Sequence, residues 1–389
     1  MPALCQPLAD GQERVQVAKT SPGRQCESHG QIVPTLGYYR RMAETTERRL
    51  ALLMHGAIQG DGGKMGLGLL RYSEDPIICV IDKESVGQDI TALTGIPRPV
   101  PIVASVEDAA ALGANTLVPA IAPAGGALPP EWRAEVGRAL RMGFSLINGL
   151  HEKMADAPDM RDALQPGATI YDVRQEPAGL DNSSGLARDL AAKRVLTVGT
   201  DMAIGKMTTS LELHAAAKRR GVPSAFVATG QIGICISGAG IPLDAIRVDF
   251  APGAVEKAVL EAAAKIEDQG IIWVEGQGSV LHPASSAWLA LIRGSIPTEL
   301  ILCHRIGQER IMRIPWVKIP PLAEVAALYE AICAPIQPAK VVGIALNGGY
   351  LPDDDVRAAC EAIEAETGLP TTDTVRFGGE KLLDAVLRN

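Results

Sequence analysis

The sequence predicts an α/β protein of two domains, each built on a mostly parallel sheet. Three observations carry that expectation. Short runs rich in Val, Ile and Leu alternate with longer helix-like segments along most of the chain. Apolar residues make up 47% of the sequence and aromatics only 4%, the palette of layered sheets and helices packed with small branched side chains. Finally, the apolar run 195–198 leads into a glycine-bounded turn, a lysine and a helix-like segment, the layout of a phosphate-holding loop.

A chain of 389 residues has room for two domains of ordinary size. Its formal charge of −8 argues against a nucleic-acid or anionic-membrane surface. No run approaches the roughly 20 apolar residues that span a bilayer, and no secretory apolar core opens the chain. Seven cysteines are scattered without a C-x-x-C pair. Buried, reduced thiols in a cytoplasmic protein are expected.

Residues 1–41 are rich in Gln, Arg, Ser, Gly and Pro without an apolar period, so a disordered or loosely attached extension is expected, with the working chain starting near Met42. The first domain is expected over 42–180. LALLMHGAI, PIICVID, PIVASV, NTLVPAIA, FSLINGL and TIYDVR read as strands, and 129–142 reads as a helix opened by proline. This rhythm implies a Rossmann-like parallel sheet. The first strand runs into GAIQGDGGKMGLG, read as a second glycine-rich loop carrying Lys64. Asp82, closing the second strand, fits either a ribose-binding acid or a cap. The polar stretch 175–193 is the expected junction. The second domain, 190–389, continues with VLTVGT, SAFVATG, IIWVEG, TELILCH and KVVGIALN as strands. Helices fall at TTSLELHAAAKRRG, stopped by Gly221, and at AVEKAVLEAAAKIEDQG.

The loop reads Gly199, Thr200, Asp201, then Met202 to Ile204, then Gly205, Lys206, Met207, Thr208 and Thr209. Backbone N–H groups and the dipole of the following helix attract an anion there, and Lys206 adds a compact positive charge. Gly205 lies six positions after Gly199, one more than in the commonest form. The position after the lysine, where a hydroxyl normally holds Mg²⁺, is Met207, and a thioether is a poor ligand for a hard cation. The loop therefore predicts phosphate binding more strongly than Mg-dependent cleavage of a nucleoside triphosphate, and we assign no metal site. Other polar groups should converge beyond the strand ends. Thr229, Gly230 and Gln231 follow one strand. The segment IRVDF brings Asp249, which also fits a helix cap. A further strand ends in Glu275, followed by Gly276, Gln277, Gly278, Ser279 and His282. His304 and Arg305 end the next. Glu275 closes the buried IIWV run, where an idle carboxylate is costly. His282 fits either a site base or a structural histidine held by Pro283. His214 and His151 sit in helix-like contexts and are assigned no role.

GTDMAIGKMTT resembles the GTD-x-x-x-GKT loop of dethiobiotin synthetase, and VEGQGSVLHP resembles that family's EGAGG strand end, over about 195–283. That resemblance implies Mg²⁺ held by a threonine and two acids, the acids falling on Asp249 and Glu275 here. The threonine position is Met207, and FVATGQ lacks the lysine of the synthetase KP-x-x-TG motif. A closer resemblance, from about residue 43 to the C-terminus, is to a formerly uncharacterised two-domain family. It joins a Rossmann-like domain to this P-loop domain. GTD-x-x-x-GKMTT, ATGQ-x-G, VEGQGS-x-x-HP and YDVR carry the match. Some members of that family transfer acetyl from acetyl-CoA to D-amino acids, D-glutamate especially.

The resemblance implies acetyl transfer here, with acetyl-CoA as co-substrate. Its phosphates would sit on Gly199–Asp201, Gly205–Thr209 and Gln277–Ser279. Glu275, Asp249 and His282 are the candidate bases, and Lys64, Arg174 and Gln231 would bind the acceptor. Two alternatives stay open: an ATP- and Mg-dependent ligase or kinase, and a nucleotide-binding protein without turnover. A small-molecule substrate and a symmetric homo-oligomer are expected.

Overall fold

Strands form where the branched apolar runs lie, because such side chains suit a sheet covered on both faces. The computed structural model describes residues 47–389, apart from 122–127 and 267–268; the expected N-terminal extension lies outside them. The described residues all belong to one compact unit.

The first half carries β1 (Leu50–Leu53), α1 (Lys64–Tyr72), β2 (Ile77–Ile81), α2 (Ile90–Thr94), β3 (Ile102–Val103), α3 (Val106–Ala111), β4 (Thr116–Pro119), α4 (Pro130–Arg141), β5 (Ser145–Asn148), α5 (Pro158–Ala163) and β6 (Ile170–Asp172). The sheet order is β3-β2-β1-β4-β5-β6, with every pair parallel. This is the doubly wound Rossmann order, whose direction of winding reverses between β1 and β4.

The second half carries β7 (Lys193–Gly199), α6 (Lys206–Arg219), β8 (Ser224–Val227), α7 (Gln231–Ser237), α8 (Ala251–Ala263), β9 (Ile271–Val274), α9 (Ala287–Ser295), β10 (Glu299–Arg305), α10 (Leu322–Cys333), β11 (Lys340–Asn347), α11 (Asp353–Thr367), β12 (Thr371–Thr372) and α12 (Glu380–Arg388). Its order is β12-β11-β10-β7-β9-β8, again all parallel. β7 is central, so the turn that follows it opens where connections leave in opposite directions.

Three local expectations are corrected. GDGGKMGLG is not a loop throughout, because α1 starts at Lys64. Its glycines permit close packing: a side chain at Gly66 would strike Met54, and one at Gly68 would meet Ile232 at 3.2 Å. Asp249, expected to converge with the groups beyond the strand ends, lies instead in an exposed turn before α8. His151 occupies a bend between β5 and α5, not a helix.

Each sheet is covered on both faces by apolar clusters. One cluster crosses from half to half, joining Leu50, Met54, Met65 and Leu69 to Leu211, Ile234 and Ile236. That shared core holds α1 against α7 and fixes the cleft between them.

Candidate functional site

The turn between β7 and α6 is built by its own backbone. Gly205 has φ of 112°, a conformation open to glycine, and Ala203 is also left-handed at φ 53°. These twists bring the N-terminus of α6 round to face the cleft. The Nδ2 amide of Asn347, at the end of β11, donates to the Ile204 carbonyl at 3.1 Å and braces the turn. Tyr329 donates to the Gly199 carbonyl at 2.8 Å from below.

Lys206 is 5% exposed and donates to the Asp201 carbonyl at 2.6 Å. Burial drives its ammonium down to about 8, so a bound anion would restore charge stabilisation that solvent does not supply. Glu275 directly follows β9 and is 3% exposed. Its Oε2 accepts from the N–H groups of Thr229 at 2.8 Å and Gly230 at 3.2 Å, while Gln277 Nε2 donates to Oε1 at 3.1 Å. Burial outweighs these donors and the nearby Lys206, and raises the carboxyl to about 7. A side chain at Gly230 or Gly233 would collide with this carboxylate–amide pair, so both glycines make room for it.

A cavity of about 630 Å³ lies between the two halves. α1 gives it one wall through Lys64, Leu67, Gly68, Arg71 and Tyr72. The opposite wall is the turn from Met202 to Thr208, with Gly230–Ile232 and Glu275–Gly278. Arg305, Asn347, Thr94, Ile96 and Val375 complete it. Lys64, Arg71, Lys206 and Arg305 face this space with Glu275, on a chain whose net charge is −8. Such local reversal of charge suits an anionic ligand. A second pocket of about 140 Å³ adjoins it, lined by Thr208, Thr209, Asn347 and Thr374 among others.

Of the residues singled out from the sequence, Lys64, Gly205, Lys206, Met207, Thr208, Gln231, Glu275, Gln277 and Gly278 line the larger cavity, and Thr209 the smaller. Others do not reach a cavity wall. Thr200 is buried and bonded to His304 Nδ1 at 3.0 Å; burial lowers that imidazole to about 4. Asp201 is enclosed: Met202 N–H donates to Oδ1 at 2.6 Å, and Gln308 Nε2 at 2.5 Å and Met312 N–H at 2.7 Å donate to Oδ2. Ser279 accepts from Leu281 N–H at 3.1 Å. His282 accepts from Ala284 N–H at Nδ1 and turns Nε2 towards Asp201, 3.9 Å away; its geometry is that of a brace. Arg174 is paired with Asp244 and donates to the Gly149 carbonyl at 2.9 Å. Asp249 is exposed, away from the cavity. Asp82 accepts from Gly56 N–H at 3.0 Å and Glu84 N–H at 3.2 Å, tying together the loops after β1 and β2.

Met207 departs from the cluster of hydroxyls for a packing reason. It joins Leu67 and Ile232 against the apolar cluster that crosses between the halves. Sequence reading missed Arg71 and Tyr72. Their signal is the spacing 64, 67, 68, 71, 72, one face of a helix, hidden by three glycines that resembled loop.

Fold and site define a two-domain α/β protein whose phosphate-type loop and Rossmann-like half share one cationic cleft. Comparison with known proteins gives the family. Residues 83–176 match the model of a Rossmann-like domain of unknown function (DUF1611_N), and residues 182–383 match that of its P-loop domain (DUF1611_C). The chain belongs to this DUF1611 family. It is 36% identical over 285 residues to a D-glutamate N-acetyltransferase of Tritonibacter scottomollicae, covering 72% of this chain and 84% of that protein. A D-glutamate N-acetyltransferase of a Pseudoalteromonas species is 33% identical over 282 residues, covering 72% and 83%. The crystal structure of a DUF1611 family protein from Anabaena variabilis is 53% identical, with a TM-score of 0.83, covering 88% of this chain and 100% of that one. Among the described residues no helix is long and apolar enough to cross a membrane.

Proposed function

We propose that this protein is an N-acetyltransferase that moves the acetyl group of acetyl-CoA to the amino group of D-glutamate. One observation carries the reading beyond the names of its relatives. A buried carboxylate held near neutrality, Glu275, shares a single cavity with an anion-binding helix N-terminus. Acetyl transfer to an amine requires both a base near working pH and a berth for a phosphorylated coenzyme.

In this reading the coenzyme's phosphates rest on the N–H groups of Gly205 to Thr208, beside Lys206. Glu275 takes a proton from the acceptor ammonium. The freed amine attacks the thioester carbonyl; a C–N bond forms, the C–S bond breaks, and the sulfur leaves as thiolate, to be protonated. Backbone N–H groups at Gln277 and Gly278 are the candidate oxyanion donors. Lys64 and Gln231, on facing walls, are the candidate acceptor contacts. Arg174, Asp249 and His282 have no part in it.

The ATP- and Mg-dependent alternative fits the residues poorly. The position for the metal-holding hydroxyl is Met207, a thioether resting against the apolar cluster, and Asp249 is exposed and does not line the cavity. A cytoplasmic location and a homo-oligomer complete the proposal.

The test is thiol release from acetyl-CoA, followed with a chromogenic reagent, with D-glutamate as acceptor. Release with D-glutamate and little with L-glutamate is expected. Release with no D- or L-amino acid overturns the proposal.

A further inference from the structure

We propose that α1 is the acceptor-recognition element of the cleft and that Arg71 is its specificity residue, gripping the side-chain carboxylate of a dicarboxylic acceptor. This rests on the acetyl-transfer reading.

The helix presents one face to the cavity, through Lys64, Leu67, Gly68, Arg71 and Tyr72. Its position relative to the reacting groups is fixed at two points. Gly68 lies so close to α7 that a methyl group there would sit 3.2 Å from Ile232 and 3.8 Å from Met207. At the other end, Tyr72 donates to Glu212 Oε1 at 2.8 Å, and Glu212 belongs to α6, the helix that starts at Lys206. α1 is thereby held to both walls that carry the chemistry.

Arg71 stands between these anchors, half-buried in the last turn of α1. The charged groups that face it are identifiable. Glu212 feels its field, but one Glu212 oxygen is engaged by the Tyr72 hydroxyl, and Arg219 acts on the same carboxylate. Glu275 lines the same cavity from the opposite wall. The planar guanidinium offers paired donors that match a carboxylate.

Charge divides the cavity. Lys206 and Arg305 belong to the side of the phosphate-type turn, the Arg305 guanidinium reaching the Ala203 carbonyl at 3.4 Å. Lys64 and Arg71 belong to α1, seven residues apart and so about 10 Å along the axis. A coenzyme with several phosphates and an acceptor with two carboxylates need separate cations, and the walls supply them separately. A neutral acceptor of equal length would offer Arg71 no carboxylate beyond Glu212, which Tyr72 and Arg219 already engage.

Arg71→Leu and Arg71→Lys in the full chain, assayed with D-glutamate and with D-glutamine, test the proposal. The two acceptors match in length and differ in one charge. Arg71→Leu should raise KM for D-glutamate about 10–100-fold, as expected for loss of a charge-assisted contact. It should bring the kcat/KM ratio of D-glutamate over D-glutamine towards unity and leave KM for acetyl-CoA within about twofold. Arg71→Lys should recover part of the ratio. Equal losses for both acceptors, or a loss confined to acetyl-CoA, overturn the proposal. Calorimetric titration of D-glutamate separates its failure from that of the reaction. Weaker binding to Arg71→Leu than to wild type supports the role of Arg71 even if no thiol is released. Unchanged binding with active wild type overturns Arg71 and leaves the reaction standing. No binding and no thiol release with wild type overturns both.

Discussion

The ammonium of Lys206 donates to the carbonyl of Asp201 at 2.6 Å, within the same turn whose helix N-terminus faces the cleft. The lysine thus closes the loop on itself and waits, largely desolvated, beside the path of an anion. Lys206→Ala should weaken coenzyme A binding about 10–100-fold, the usual loss for a charge-assisted contact. Pantetheine, which has the thiol arm but no phosphates, should bind the variant and wild type alike. The sign of the pH effect follows from a lysine lowered to about 8. It is charged below that value, so wild-type affinity for coenzyme A should fall as pH rises through 8, while the variant shows no such fall. Isothermal titration measures both; equal weakening for pantetheine would refute the assignment.

Glu275 gives a second pH signature. A carboxyl raised to about 7 by burial acts as a base only when ionised. From pH 5 to 7, kcat/KM should climb about tenfold per unit and then level off. Glu275→Gln keeps the shape, removes the base, and should cost about 10²–10⁴-fold in kcat. A profile that rises through pH 5 and is flat by pH 6 would exclude Glu275 as the titrating group.

Much of this was legible in the sequence, and the gaps have physical causes. The β7–turn–α6 unit is local, so its glycines, lysine and threonines announce it within a dozen residues. Glu275 was legible because a carboxylate at the end of a fully buried run is costly to leave without a task. What failed depends on contacts distant in sequence. Arg174 looked available until Asp244 came beside it. Asp201 looked like a ligand-binding acid until residues 308 and 312 folded over it. α1 resembles loop in the sequence because Gly63, Gly66 and Gly68 break local propensity, and only close approach to the Ala57 carbonyl, Met54 and Ile232 explains them. β12 spans two residues, Thr371 and Thr372, and is defined by its pairing with β11 alone.

The bond from Tyr72 to Glu212 is a stability prediction as well as an anchor. Both groups are half-buried, and their desolvation raises the pKa of each. Tyr72→Phe keeps the ring and removes the donor, leaving the carboxylate short of a partner. Urea unfolding should show a loss of about 1–2 kcal/mol with an unchanged m-value. The same substitution at an exposed tyrosine, Tyr350→Phe, is the control and should cost nothing measurable. Equal stability of Tyr72→Phe and wild type would show that the contact does not hold the halves together.

Met207 offers the sharpest distinction between acetyl transfer and nucleotide cleavage. Met207→Thr restores the hydroxyl that phosphate-cleaving loops place after the lysine, so a cryptic ATPase would be unmasked or strengthened by it. The packing of Met207, with Leu67 and Ile232, against the apolar cluster between the halves implies a different result. Threonine is shorter and gives up part of that apolar contact, while residue 207 still borders the cavity, so the change should destabilise the protein by about 1 kcal/mol. The remaining acid of the metal set, Asp249, is exposed and away from the cavity; one new hydroxyl does not replace it. The expected outcome is a lower Tm by calorimetry, retained though reduced thiol release, and no ADP formed from ATP and Mg²⁺ by wild type or variant. ADP formation by the variant at a rate matching acetyl transfer would overturn this account of residue 207 and return the ligase reading to first place.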